Sequence, residues 1–278
     1  MKESRESINK ETGMFAGTAA RGTPVRLLVV PVLVYLVWVV ETYLFDGQAQ
    51  LFSDPGTASL LLYTLMTCVL IGLVAPVILI RRAFVTGDVN MHQIGFRPLR
   101  RTFLMVVLTA VIIWAAVILH NPFGTDRFAF VVVFLQFIPT GIAMVMTCWV
   151  LIGTHIQAYV RDGGVPLSIT LGVILTGILF ALAAFALYPG VREAGALVPF
   201  LSLGFLAAIF FFAVRDVWAT SIAVTGALVW LMAGQVDAPP LITAVPVISA
   251  AAALAIGVLA FVHWHLYRHY VTIPAPVP

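Results

Sequence analysis

Long apolar runs alternate with short polar breaks from one end of this chain to the other. The runs fall at about Pro24–Phe45, Ala58–Ile80, Thr102–Leu119, Phe128–Val160, Leu167–Leu187, Ala196–Val214, 217–232 and Leu241–Val262. Most reach about 20 residues, the length of α-helix that crosses a hydrocarbon core about 30 Å thick. The breaks carry helix-stopping or turn chemistry: Arg81-Arg82, His120-Asn121-Pro122, Arg161-Asp162-Gly163-Gly164, Tyr188-Pro189-Gly190, Arg215-Asp216, and Asp237 with Pro239 and Pro240. The pattern predicts an all-α polytopic membrane protein of about eight spans. Residues 24–267 form one transmembrane domain, between a polar tail (1–23) and a short tail (268–278).

The run from Phe128 to Val160 is 33 residues long. At about 1.5 Å per residue it is too long for one straight crossing, so Pro139 is expected to kink it or to split off an interfacial piece. Its second half, Pro139 to Gly164, is the most polar of the apolar segments. Thr140, Thr147 and Thr154 recur every seven residues, with Gly141, Cys148 and His155 beside them. Seven residues make about two helical turns, so each set lies along one stripe. Small and hydroxyl side chains in a stripe let helices approach closely, and this segment is expected at the centre of the bundle.

Charge orients the spans. Of the fifteen Lys and Arg, eight spans place Lys2, Arg5, Lys10, Arg21, Arg26, Arg81, Arg82, Arg97, Arg100, Arg101, Arg161, Arg215 and Arg268 on the side of the termini. Only Arg127 and Arg192 fall opposite. By the positive-inside rule both termini are cytoplasmic, and the expected location is the plasma membrane. A net charge of +3 carried at helix ends does not suggest nucleic acid. The chain is 62% hydrophobic and only 10% charged, against about 25% charged in a soluble domain.

Candidate chemistry is sparse. Cys68 and Cys148 both sit in apolar runs and form no disulfide framework or zinc motif. Glu41, at the outer end of the first span, reads as an exposed interfacial carboxylate. Gln136, Thr140, Thr147 and Thr154 read as packing residues, and His155 as a histidine hydrogen-bonded between helices, rather than as a permeation path or relay. In FVHWHLYRHY, His265 and His269 share a helix face, but His263 points elsewhere and no acid or cysteine completes a metal shell. Trp264, Tyr267, Arg268 and Tyr270 make the segment a membrane-surface anchor instead. No cofactor and no metal are implied.

The order of segments resembles the CAAX-protease and bacteriocin-processing (CPBP, or Abi) intramembrane peptidases, whose motifs lie on the fourth, fifth and seventh helices of an eight-helix core. HQIGFRPLRR (92–101) is similar to the Gly-Leu-Arg-like segment before the family's third span. The place of the paired glutamates and Arg-Gly is taken by TCWVLIG, with Thr147 and Cys148 for the glutamates, Ile152 for the arginine, and Gly153 kept. FALAA keeps Phe180 but has Ala184 for histidine. RDVWATSIAVTGAL keeps Trp218-Ala219, with Val224 and Leu228 at the His and Asn places; a one-residue slip gives Thr225 and Val229. The resemblance implies a CPBP-like bundle without the groups that bind a metal or activate water.

Three functions follow as expectations. The first is a non-catalytic scaffold or binding partner in the lipid bilayer, engaging another membrane protein or a peptide. The second is an active CAAX-type endopeptidase with displaced residues. For it Cys148 and His155 are a poor pair, because seven residues separate them by about 10.5 Å along a helix. The third is a permease or transporter subunit, which requires a continuous polar cavity.

Overall fold

The structure, a computed structural model, describes residues 25–49, 56–85, 89, 91–120, 127–187, 197–232 and 244–270. Residues 1–24 and 271–278, Asp54, the turn at Tyr188-Pro189-Gly190, Arg192, Asp237, and the side chains of Asp46, Arg127, Arg161 and His269 lie outside the described residues and side chains. Among the described residues there is no strand. The helices are α1 (25–49), α2 (Thr57–Val85), the short α3 (Met91–Ile94), α4 (Leu99–His120), α5 (127–159), α6 (Val165–Leu187), α7 (Leu197–Val214), α8 (Val217–Met232) and α9 (Val245–Tyr270). Leaving α3 aside, they match the eight apolar runs one for one. Seven are long and apolar enough to span a membrane. The eighth, α8, has 16 residues, about 24 Å of helix.

The helices are apolar nearly all round, as expected where lipid rather than water is the solvent. What separates centre from periphery is therefore burial. In its most apolar stretch α5 is 72% buried, whereas α4 is 11% buried. Phe103, Leu104, Val111, Ile112, Ile118 and Leu119 of α4 all lie open at the surface, a continuous apolar face suited to acyl chains. The segment 139–164 does form the middle of the molecule: every described side chain from Val145 to Ala158 is buried.

Of the two expectations at Pro139, a kink or a split, the split is absent. Helix α5 runs unbroken from 127 to 159 with Pro139 inside it. Its irregularity falls about two to four turns later, where Val145–Gly153 is π-helical. A proline removes one i→i−4 bond and crowds the preceding turn, but neighbouring helices in a membrane stabilise the distorted backbone. A second π stretch, Thr64–Val74, lies in α2.

Small residues set the close approaches, since lipid-facing helices have no hydrophobic drive to associate and depend on contact. A Cβ on Gly141 would overlap the Thr225 hydroxyl, so α5 and α8 touch there almost backbone to side chain. A Cβ on Gly204 would overlap the Gly177 carbonyl, which marks the α6–α7 approach. Helix α9 extends past the expected end at Val262 through Tyr270, so the HWHLYRHY segment is a continuation of the last helix.

Candidate functional site

The central stretch of α5 packs against both α6 and α8, the helices that carry the other positions similar to peptidase motifs. Thr147, Cys148, Ala184, Val224 and Leu228 are each fully buried and Ile152 is 2% exposed. The Thr147 hydroxyl donates to Ala143 O on its own helix at 2.7 Å. Trp149 stacks on Phe180, ring centres 5.3 Å apart. These positions hold small or apolar side chains, and the one polar hydrogen on Thr147 is used internally.

The heptad stripe behaves alike further down. Thr154 donates to Val150 O at 2.5 Å and His155 Nδ1 meets Leu151 O at 2.7 Å. His155 bonds back onto its own helix through this nitrogen. Thr140 differs: its hydroxyl faces Tyr63 Oη at 3.3 Å and Cys68 Sγ at 3.9 Å on α2. Gln136, one turn earlier, is buried.

A second polar group gathers where α4, α7, α8 and α9 meet at one end of the bundle. Asp216 is fully buried and precedes α8. Its Oδ1 accepts from the Ala219 backbone N–H at 3.0 Å and its Oδ2 from the Thr102 hydroxyl at 2.7 Å, so it both caps α8 and ties it to α4. Arg97 Nε donates to Arg215 O, and Arg215 Nη1 to Gln93 O, at 2.9 and 3.1 Å. Arg215 adopts φ +53° just past α7, its N–H bonded to Phe211 O at 2.7 Å. This is the left-handed end that usually takes glycine; here the side chain holds it, laid over the Phe212 ring 4.7 Å away. Burial pulls the Arg215 guanidinium down to about 10, with Arg97 adding repulsion, so it is still a cation at physiological pH. Arg97 is also lowered, first by burial and then by Arg101, with Asp216 opposing. Gly95, at φ +90°, lets the 93–97 segment meet this turn: its carbonyl accepts from Val217 N at 3.1 Å, and a Cβ there would crowd Phe211 and Val217.

His263 closes the same group. The Trp218 indole N–H can only donate, and it reaches His263 Nδ1 at 2.8 Å; Nε2 meets Arg97 O at 2.8 Å. The two contacts assign the neutral tautomer with hydrogen on Nε2. His263 is 2% exposed, which corrects the reading of the whole C-terminal segment as a surface anchor. Trp264 and Arg268 do fit an anchor, exposed with the guanidinium 5.3 Å over the ring. Among the described residues no group of three or more His, Cys, Asp or Glu is placed to hold a metal. The sequence did contain a signal for this knot: HQIGFR and RDVW are the flanking stretches that carried the family resemblance, and they meet here.

A third group lies between α1 and α2. Glu41 is partly buried, with Oε2 shut away from solvent, which corrects the reading of it as fully exposed. It turns toward Thr67 of α2. Finally, an apolar groove of about 510 Å³ opens between α4, α7 and α8, lined by Ile113, Ala116, Leu203, Phe210, Gly226 and Trp230 among others. None of the six motif-like positions lines it.

The fold and these sites define a polytopic all-α membrane protein. No protein-family model, curated protein or solved structure matches the chain.

Proposed function

We propose that the chain is a catalytically degenerate relative of the CPBP intramembrane peptidases, serving in the plasma membrane as a non-catalytic scaffold or binding partner with both termini cytoplasmic. The supporting observation is the set of side chains where the α5 centre meets α6 and α8. Thr147, Cys148, Ile152, Ala184, Val224 and Leu228 supply no carboxylate and no imidazole, and all are packed away from water. Peptide hydrolysis by the family's chemistry needs an ionisable group and a water at that place. The pair Cys148 and His155 gives no substitute, since His155 Nδ1 is committed to its own helix. Partner binding has a face available in the lipid-exposed α4 side and its groove, shaped for an apolar transmembrane segment. The test is purification from the native host in gentle detergent, with identification of co-purifying chains and a peptide-cleavage assay on the same sample. A stoichiometric membrane partner without cleavage is the expected result. Cleavage that purified chain retains overturns the reading.

A further inference from the structure

Among the buried hydroxyls, Thr102 and Thr140 bond across helices and Thr225 of α8 has no partner; others fall into two populations. Thr147, Thr154, Thr176, Thr220 and Ser221 each donate to a carbonyl of their own helix at 2.5–2.9 Å. That is the usual way a helix absorbs a hydroxyl in an apolar setting. Thr42, Thr64 and Thr67 do not. All three are at most 1% exposed, and their hydroxyls have no hydrogen-bond partner.

All three stand on the two helices of one seam, Thr42 next to Glu41 on α1, and Thr64 and Thr67 about one turn apart on α2. Trp38 Nε1 lies 3.1 Å from where a Cβ on Gly72 would stand. Glu41 faces Thr67, and the Phe45 and Tyr63 rings are 6.2 Å apart. The pairs descend α1 as they ascend α2, an antiparallel register that brings Thr42 between the levels of Thr67 and Tyr63. Thr64 and Thr67 open the π-helical stretch of α2, where the backbone acceptors are displaced from their α-helical places. Thr140 of α5 closes the seam from behind through Tyr63 and Cys68. At its centre the Glu41 carboxyl interacts with the Thr67 hydroxyl, while Glu41 Oε2 and Thr67 Oγ1 are buried without a well-formed hydrogen bond. Facing oxygens left short of partners are the arrangement a bridging species completes.

We propose that this seam binds a monovalent alkali-metal cation, held by the Glu41 carboxylate and the hydroxyl oxygens of Thr42, Thr64 and Thr67. The groups offered are hard oxygens, the ligands such ions take. One carboxylate supplies one negative charge, which a monovalent ion balances. No described basic side chain competes for it. Arg81 and Arg82 of α2 are 14 or more residues beyond Thr67, about 21 Å along the helix, and α6 carries no ionisable side chain. The other titratable groups on the elements around the seam are Tyr35 and Tyr43 of α1, Tyr63 and Cys68 of α2, Cys148 and Tyr159 of α5, and His263, His265, Tyr267 and Arg268 in the last turns of α9, which also packs against α2. His155 of α5 lies toward the opposite end of the bundle, and the Asp46 side chain is outside the described residues. A carboxylate inside a span without a counter-charge is expensive and marks function. This site is independent of the scaffold reading and stands or falls without it.

The test uses the full chain in detergent, with thermal unfolding followed in NaCl, KCl, LiCl or N-methylglucamine chloride at matched ionic strength. At least one alkali chloride should raise Tm saturably, on the order of 5 °C over the organic cation. The rise should disappear in Glu41→Gln and should fade as pH drops and protons compete for the carboxylate. Thr67→Val, which removes only the hydroxyl, should shift the half-saturating cation concentration upward at least about tenfold, the equivalent of one lost ligand. This variant carries the test should Glu41→Gln not fold. Identical Tm in all four salts means the seam holds only water and overturns the proposal. A cation effect that survives both substitutions overturns it equally, because the ion then binds elsewhere.

Discussion

Asp216 shows how much one buried carboxylate can organise. It accepts from the α8 backbone and from Thr102 of α4 at once, so its loss orphans the Ala219 N–H and leaves the Thr102 hydroxyl only the long contact to Arg97 O at 3.5 Å. Asp216→Ala should lower stability by on the order of 2–3 kcal/mol, and Asp216→Asn, which keeps one acceptor, by less. Chemical unfolding in detergent measures both, and equal losses would mean that the charge rather than the cap matters. Thr147 makes the opposite case. Its side chain is sealed among α5, α6 and α8 with its hydroxyl satisfied at home. Thr147→Glu should cost on the order of 3 kcal/mol, read as a fall in Tm, and should give no peptide cleavage. Any gain of hydrolysis would show that water and a second ionisable group already reach that place.

At the scale of helices, contact between backbones replaces hydrophobic drive. The α5–α8 approach rests on Gly141, whose missing side chain makes room for Thr225. Gly141→Ala should destabilise by about 1–3 kcal/mol through overpacking. The Thr225 hydroxyl has no hydrogen-bond partner, so Thr225→Ala should cost little alone and should recover part of the Gly141→Ala loss. A double-mutant cycle in detergent checks the coupling; strict additivity would contradict the contact. The α6–α7 approach has no such remedy, because the obstacle to a side chain at Gly204 is the Gly177 carbonyl.

For the whole molecule, the knot of Arg97, Arg215, Asp216 and His263 binds the ends of four helices at one face. That face carries Arg97, Arg101 and Arg215 together, and the proposed orientation makes it cytoplasmic. Arg100 is exposed beside the knot. A cysteine introduced there into a chain lacking Cys68 and Cys148 should react with a membrane-impermeant maleimide only after cells are permeabilised. Labelling in intact cells would reverse the orientation or change the number of spans.

Much of the fold was legible in order because membrane helices must satisfy their own backbone and so announce themselves by length and apolarity alone. The eight apolar runs became eight helices, seven of them long enough to span a membrane, and the Thr and Gly heptads of α5 marked the segment that lies at the centre. Local pattern left a kink and a split both open at Pro139, where the helix is continuous, and fell short at α9, where polar aromatics hid eight further helical residues. It failed more deeply at the sites. Glu41 beside an apolar span end looks exposed until α2 is laid against it, and His263 looks like one of three surface histidines until Trp218 and Arg97 claim its two nitrogens. Periodicity reports which face a residue occupies on its own helix, whereas a hydrogen bond or an unpartnered hydroxyl depends on what another helix, distant in the chain, places opposite. The sequence by itself determined the helices, their order and the poverty of ionisable groups in the spans. Only the tertiary structure decided which of the few polar atoms are satisfied and which are left facing one another.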